Sequence, residues 1–293
     1  MKVLAFDVGG TTIKGGLVDE KLKIQDKFIE DTPKREDTFI SLIEEIHDRF
    51  SDETHKVSLG MPGFVDNDNL IFKYGTNMKF SIDFKKLGFA KEKKIYLEND
   101  GNLAAYSEYL SHFKNDYKNL IMLTFGTGVG GGIIYNSEIF KGSGNAGEIG
   151  RILINEKSYL EDVISAKAWT KKCQELYEIN KETKLSNIFY EEKVGSLLFD
   201  RSIDLEDYEK YARDEIIQNT SNALISLFEL FDNDIFVIGG SMTKSPYDFL
   251  PLLDEYISKN FEFPNRNFPK IKLSKAREDS GMLGAALLAL NSE

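Results

Sequence analysis

Residues 5–19, Ala-Phe-Asp-Val-Gly-Gly-Thr-Thr-Ile-Lys-Gly-Gly-Leu-Val-Asp, read as a β-hairpin with a chemically loaded tip. The apolar run Val3–Phe6 delivers Asp7 into a tight Gly9-Gly10 turn, and the apolar pair Leu17-Val18 leaves it. The tip offers backbone N–H groups, the Thr11 and Thr12 hydroxyls, Lys14 and one acid. Glycine lets a phosphate approach the backbone closely, and magnesium takes hard oxygen ligands such as a carboxylate or its waters. An ordinary hairpin with a glycine turn suits the same residues, so this segment alone leaves both readings open.

Composition narrows the class. A chain of 293 residues with 41% hydrophobic content is long enough for two lobes with filled cores. The single cysteine, Cys173, has no partner for an intrachain disulfide and cannot build a cysteine zinc cage. No apolar run approaches the roughly 18 residues of a membrane span, and the N-terminus enters a strand without a signal-peptide pattern. A net charge of −11 argues against general nucleic-acid affinity, which rests on basic patches. ATP stays compatible, because N–H dipoles and magnesium meet its charge locally. The expectation is a cytoplasmic protein acting on small molecules, with neither nucleic acid nor membrane as a partner.

The order of elements adds to this. Val3–Phe6, Gly15–Val18 and Ile24–Phe28 read as a strand meander. Thr38–Phe50 carries apolar residues at 39, 40, 42, 43, 46 and 50, one face of a helix. Lys56–Gly60 and Lys94–Leu97 read as strands, the second running through Glu98-Asn99-Asp100-Gly101-Asn102 into a helical stretch, Leu103–Phe113. This is the element order of the lobe repeated in sugar kinases, actin and heat-shock ATPases. A second copy starts at Asn119: strand Leu120–Phe125, the turn Gly126-Thr127-Gly128-Val129-Gly130-Gly131-Gly132, strand Ile133–Tyr135 and a turn at Asn136-Ser137. The glycine turn joins strand to strand, which argues against a dinucleotide fold, where it joins strand to helix. Two such hairpins suit the two sides of a triphosphate. Asp234–Ile238 reads as a buried strand ending in Gly239-Gly240, and Tyr211–Phe231 as a helix whose apolar face serves the core or a dimer. Trp169 reads as helix packing.

The chain resembles the ROK family of bacterial repressors and sugar kinases. The resemblance rests on Asp7-Val-Gly-Gly-Thr-Thr-Ile-Lys14, Gly60-Met-Pro-Gly63, Glu98-Asn-Asp100, Gly126–Gly132, Gly147-Glu-Ile-Gly150, Ile238-Gly-Gly-Ser241 and Gly281-Met-Leu-Gly-Ala-Ala286, in family order. It implies an α/β, actin-like ATPase (ribonuclease H-like) fold of two lobes with duplicated hairpins. The lobes are expected at 1–117, completed by a closing helix at 279–293, and at 118–278. A homodimer is implied as well.

The resemblance also assigns chemistry. Asp100 becomes the general base that orients a sugar hydroxyl and takes its proton; read alone, it suits the N-cap of the following helix better. Asn77, Asn99, Glu148 and Glu161 become sugar ligands. Read without the family, Asn99 is also an amide that satisfies its loop, and Glu161 a solvated acid. Gly9, Gly10, Thr11, Thr12, Lys14, Gly126, Thr127, Gly128 and Gly130 are expected on the ATP phosphates, Gly239 and Gly240 on the nucleotide, and Asp7 near Mg2+ through water.

One departure stands out. Many members follow the glutamate and glycine with a histidine and a cysteine cluster that bind structural zinc. Here the histidine position is Arg151 and residues 152–161 hold no cysteine, so no structural zinc is expected. Arg151 is left to bond ring hydroxyls or to pair with Glu148 or Glu161. The expected reaction is ATP-dependent phosphorylation of a sugar hydroxyl, O6 of a hexose, N-acetylhexosamine or β-glucoside. The alternatives are a sugar-binding regulator, whose added N-terminal DNA-binding domain is not expected with Met1 two residues from the first strand, and an actin-like ATPase without a sugar.

Overall fold

Val3 and Ala5 are fully buried, and so are Leu4, Phe6 and Val8. A strand buried on alternate residues of both faces needs cover on two sides, and the first part of the chain supplies it. A computed structural model describes residues 1–75, 78–240, 249–263, 265–275 and 279–292. Strands β1 (Lys2–Val8), β2 (Thr12–Asp19) and β3 (Ile24–Asp31) form the expected meander, followed by helix α1 (Glu36–Arg49) and strand β4 (Lys56–Met61). A small antiparallel sheet of β5 (Phe64–Asp66), β6 (Ile71–Tyr74) and β7 (Ile82–Asp83) comes next, a feature the sequence pattern did not announce. Strand β8 (Lys94–Asn99) then runs directly into helix α2 (Asp100–His112).

The main sheet has the order β3-β2-β1-β4-β8, with β1, β4 and β8 parallel and β2 and β3 antiparallel to their neighbours. Leu4, Phe6 and Val8 join Phe39, Ile43 and Ile46 of α1 on one face. Val3 and Ala5 meet Leu103 of α2 and Met282, Ala285, Ala286 and Ala289 of the C-terminal helix on the other. The strand period of two thus assigns each residue to one of two cores.

The chain divides into two compact units, the first made of residues 1–116, 132–147 and 275–293, the second of 117–131 and 148–274. The units differ from the expected lobes chiefly in assigning 132–147 to the first. Strand β9 (Leu120–Phe125) belongs to the second unit; β10 (Val129–Tyr135) begins there and ends in the first, where β11 (Glu138–Ile139) pairs with it. The Asn136-Ser137 turn between them has positive φ at both residues (52° and 71°), the geometry of a tight hairpin.

Helices α3 (Glu161–Ile164), α4 (Ala166–Ile179) and α5 (Lys184–Glu192) fill a stretch in which the sequence pattern gave only Trp169 as helix packing. Ser165 and Thr183 cap α4 and α5 by accepting the N–H groups of Ala168 and Ser186. Trp169 is buried against Phe199 and Phe249, with ring centroids at 4.4 and 5.4 Å. Helix α6 (Asp207–Phe231) starts at a capping box of Glu206 and Glu209. Strand β12 (Ile235–Gly240) lies parallel to both β9 and β13 (Lys270–Leu273), with α7 (Leu250–Asn260) between β12 and β13 in sequence.

The last element, α8 (Ser280–Asn291), returns to the first unit. Lys56 fixes its end: the buried ammonium donates to the carbonyls of Ala289 (2.7 Å) and Ser292 (2.8 Å). A cation at a helix C-terminus satisfies carbonyls that have no intrahelical partner.

Candidate active site

In the first unit the candidate residues lie at the carboxyl ends of β1, β4 and β8, where ligands of parallel sheets bind. Asp7, Gly60 and Glu98 stand in register across the three strands, with Met61 beside Asn99. Asp7 and the Asn99-Asp100 turn are therefore two strand spacings apart, roughly 10 Å. Gly60 keeps the interval narrow: a Cβ there would come within 2.8 Å of Leu103 Cδ1 and 3.8 Å of Asp100 Cα.

Asp7 faces Lys14 in the β1–β2 ladder. Its carboxyl also lies against the start of α8, where a Cβ on Gly281 would stand 2.5 Å from Asp7 Cγ. Asp7 keeps partial solvent exposure, yet its pKa is raised above the ordinary 3.8. Burial of the carboxyl is the main cause; Lys14 opposes it, and the charge of Asp279 adds to it. The adjoining turn is pinned from several sides. Gly9 N–H donates to Thr12 O (2.8 Å), Thr32 N–H to Thr11 O (2.9 Å) and the Thr32 hydroxyl to Gly9 O (2.8 Å). Lys34 donates to Gly10 O.

Asp100 is the first residue of α2, not its cap. Asn99 is the cap: its Oδ1 accepts the N–H groups of Gly101 (2.8 Å) and Asn102 (3.1 Å), and its Nδ2 donates to Gly63 O (3.1 Å). Three of the amide's hydrogen bonds thus go to the backbone, and its second Nδ2 hydrogen is the donor left for a sugar hydroxyl. Asp100 is half-buried and accepts Gly101 N–H at 2.9 Å. Behind the turn, the fully buried Glu98 accepts from Asn67, Asn99 and Asn102. Asn77 and Ser241 lie outside the described residues.

The second unit holds the other residues. Gly126 N–H donates to Gly128 O (3.0 Å), closing the glycine turn between β9 and β10. Among the described residues no atom lies within 4 Å of the place a Gly126 Cβ would take. Packing does not demand glycine there, and the space fits a ligand brought against the backbone, as a triphosphate would be. At Gly128 a Cβ would stand 2.5 Å from Glu161 Oε2, and the same oxygen accepts Val129 N–H at 3.4 Å. Gly130 sits over Thr124, whose hydroxyl oxygen would be 2.7 Å from an added Cβ.

Arg151 pairs with Glu161, Nη1 to Oε1 at 3.7 Å, and lies 3.9 Å above the Tyr159 ring. Glu148 is half-buried with a raised pKa, first through desolvation, then through the charge of Glu161, against the opposing charge of Arg151. These three side chains form one electrostatic cluster. Gly239 and Gly240 have a packing explanation of their own. Gly240 has φ 90° and a Cβ would meet Phe125 O at 2.3 Å, while one on Gly239 would meet Met122 Cε at 2.7 Å. Cys173 is buried and its thiol is pushed up to about 12 by desolvation, which makes it inert. Among the described residues no three His, Cys, Asp or Glu side chains are grouped to hold a metal ion. A magnesium ion at Asp7 therefore fits as a largely hydrated ion with one carboxylate beside it.

A model of the ROK family matches residues 3–292. The chain belongs to the ROK family. It is 27% identical over 314 residues to a glucokinase of Thermotoga maritima, covering 98% of this chain and 96% of that protein. It is 27% identical to an N-acetyl-D-glucosamine kinase of Mannheimia succiniciproducens, covering 97% and 98% of the two chains. The structure of a ROK family glucokinase from Streptomyces griseus with glucose and AMPPNP superposes with a TM-score of 0.79 over the whole of both chains at 22% identity. The architecture of this ROK protein is accordingly the α/β, actin-like ATPase fold.

Glu98 and Gly281 stand within quoted motifs without an assigned role, and Asn67, Lys141 and Tyr159 have none either. Glu98 leaves a usable signal, an acid closing an apolar strand just before a turn, and Gly281 one in its small-residue helix start. The others become visible through contacts made across long sequence separations.

Proposed function

We propose that this ROK protein is an ATP-dependent sugar kinase that phosphorylates a hydroxyl, O6, of a hexose, N-acetylhexosamine or β-glucoside, with Asp100 as general base. The observation that carries the reading is the alignment of Asp7 and Asp100 at the carboxyl ends of β1 and β8, with only β4 between them. Phosphoryl transfer to an alcohol is mostly positioning and charge stabilisation, with one group accepting the hydroxyl proton. Asp100 is held by the first turn of a helix, so its carboxylate meets a hydroxyl without reorganising. Gly9–Thr12, Lys14 and Gly126–Gly130 would hold the phosphates, and Asp7 would hold magnesium through water. Magnesium, when bound, neutralises charge on the phosphate oxygens. Glu148 and Glu161 would accept from sugar hydroxyls, with Arg151 paired to Glu161 beside them. Thermotoga maritima glucokinase and the Mannheimia N-acetyl-D-glucosamine kinase support the substrate class by name.

A coupled ADP-release assay over a sugar panel tests the reading, with analysis of which hydroxyl carries the phosphate. Turnover is expected only with sugar; equal turnover without one would overturn the kinase. Asp100→Asn is expected to lower kcat by about 10²–10⁴-fold with little change in sugar or ATP affinity.

A further inference from the structure

Glu98 has no solvent exposure, and a buried carboxylate is costly unless donors surround it. Here they do. Oε1 accepts the Asn99 backbone N–H at 2.9 Å and Asn102 Nδ2 at 3.0 Å. Oε2 accepts Asn67 Nδ2 at 2.8 Å and lies 3.6 Å from the Lys141 ammonium. Asn67 also donates to Leu97 O at 2.7 Å, so it is bound to the same strand end twice. Asn102 turns its Nδ2 to Glu98 although its own buried Oδ1 then lacks a partner among the described residues. That orientation costs an acceptor and is justified only by the charged bond it makes.

The four donors come from four places: the turn itself, the first turn of α2, the loop after β5, and the segment 132–147. Asp100 sits between two of them in sequence. We infer that Glu98 is a positioning residue that locks the Asn99-Asp100 turn, with Lys141 supplying the compensating charge from the segment 132–147. The inference rests on Asp100 being the proposed base. It assigns Glu98 no contact with substrate; its effect passes through the backbone of Asn99 and the side chain of Asn102.

Glu98→Gln breaks this arrangement whichever way the amide turns, because an NH2 group must then face donors. Measured per folded molecule, kcat is expected to fall about 100-fold while the Kd values for sugar and nucleotide stay within about threefold, since small misplacements of a reacting group cost that much. Folding could fail in this variant, so Lys141 provides a second probe. Its side chain is 42% exposed, so water offsets part of the loss of its charge, and Lys141→Met should lower the melting temperature less than Glu98→Gln does. That variant is expected to lose about five- to tenfold in kcat, and Lys141→Arg to recover most of it. A purely structural Glu98 would lower the melting temperature and leave kcat per folded molecule unchanged. Should Lys141→Met, and Glu98→Gln where it folds, stay within twofold of the parent kcat, the inference is overturned. Asp100→Asn separates the two readings: if it keeps full turnover, the base assignment fails, whereas its inactivity alongside fully active Glu98 and Lys141 variants removes the positioning role alone.

Discussion

The two glycine turns look alike in sequence and differ in how they are built. The turn after β1 is tied down by Thr32 and Lys34 on its carbonyls, with Asp7 at its base against α8. The turn after β9 has Thr124 where the first has Asp7, next to last in its strand, and it leaves Gly126 facing open space. Its brace is a side chain, Glu161, reaching Val129 N–H and lying against Gly128. The first turn has an acid in its own strand; the second has none there and is braced by one from outside it, Glu161, which also belongs to the proposed sugar cluster. Of these two strand–turn–strand repeats, only the first carries a carboxylate at the next-to-last position of its strand.

Removing that carboxylate breaks the comparison most strongly. Asp7→Asn is expected to lower kcat by about 10²–10³-fold in the coupled assay, as the loss of a preorganised charge at transferring phosphates does. Its effect on stability has the opposite sign. Because the folded-state pKa of Asp7 lies above the ordinary 3.8, folded protein holds this proton more tightly than the unfolded chain. The associated stability is present in full below pH 3.8 and is lost as pH rises through the folded value. At neutral pH without magnesium the ionised group is a burden, so Asp7→Asn should melt at a higher temperature than the parent, a difference that shrinks on acidification. Calorimetry at pH 7 and pH 4 checks it.

A smaller effect separates the turns by where it registers. Gly9→Ala places a Cβ 2.9 Å from Thr12 O and is expected to cost about 1–3 kcal/mol of stability by overpacking the turn. Gly126→Ala meets no described atom within 4 Å and should change stability by less than about 0.5 kcal/mol while raising the KM for ATP several-fold. Equal melting temperatures for the two variants would show that the turns are built alike after all. The smallest effect tests the brace. Arg151→Met removes the charge that lowers the Glu148 pKa, so the acid limb of the sugar kcat/KM profile is expected to move to higher pH.

Much of the fold was legible because hydrophobic period and glycine turns are local signals. The strand Leu120–Phe125 is observed with the bounds expected, and the strands of the first hairpin extend one to three residues beyond the expected cores. Helices α3–α5 were not legible as a group. Their apolar faces are short and interrupted by charge, and their caps, Ser165 and Thr183, are single residues of a common type. Within the site, Asp7, Asp100 and the glycine turns could be named from their motifs. The backbone groups that Asn99 bonds, and which of two acids Arg151 meets, could be offered only as alternatives.

By itself the sequence determined the strand–turn–strand repeats and the acids at strand ends, because each depends on residues within a few positions of one another, and the family, because its short motifs follow one another in order along the chain. Tertiary structure alone decided what those acids do. It set Gly281 against Asp7 across more than 270 residues of chain, surrounded Glu98 with donors from four segments, and paired Arg151 with Glu161 rather than Glu148. The physical reason is that burial and electrostatic partnership depend on which segments meet in space, and neither hydrophobic period nor motif spacing encodes that meeting directly.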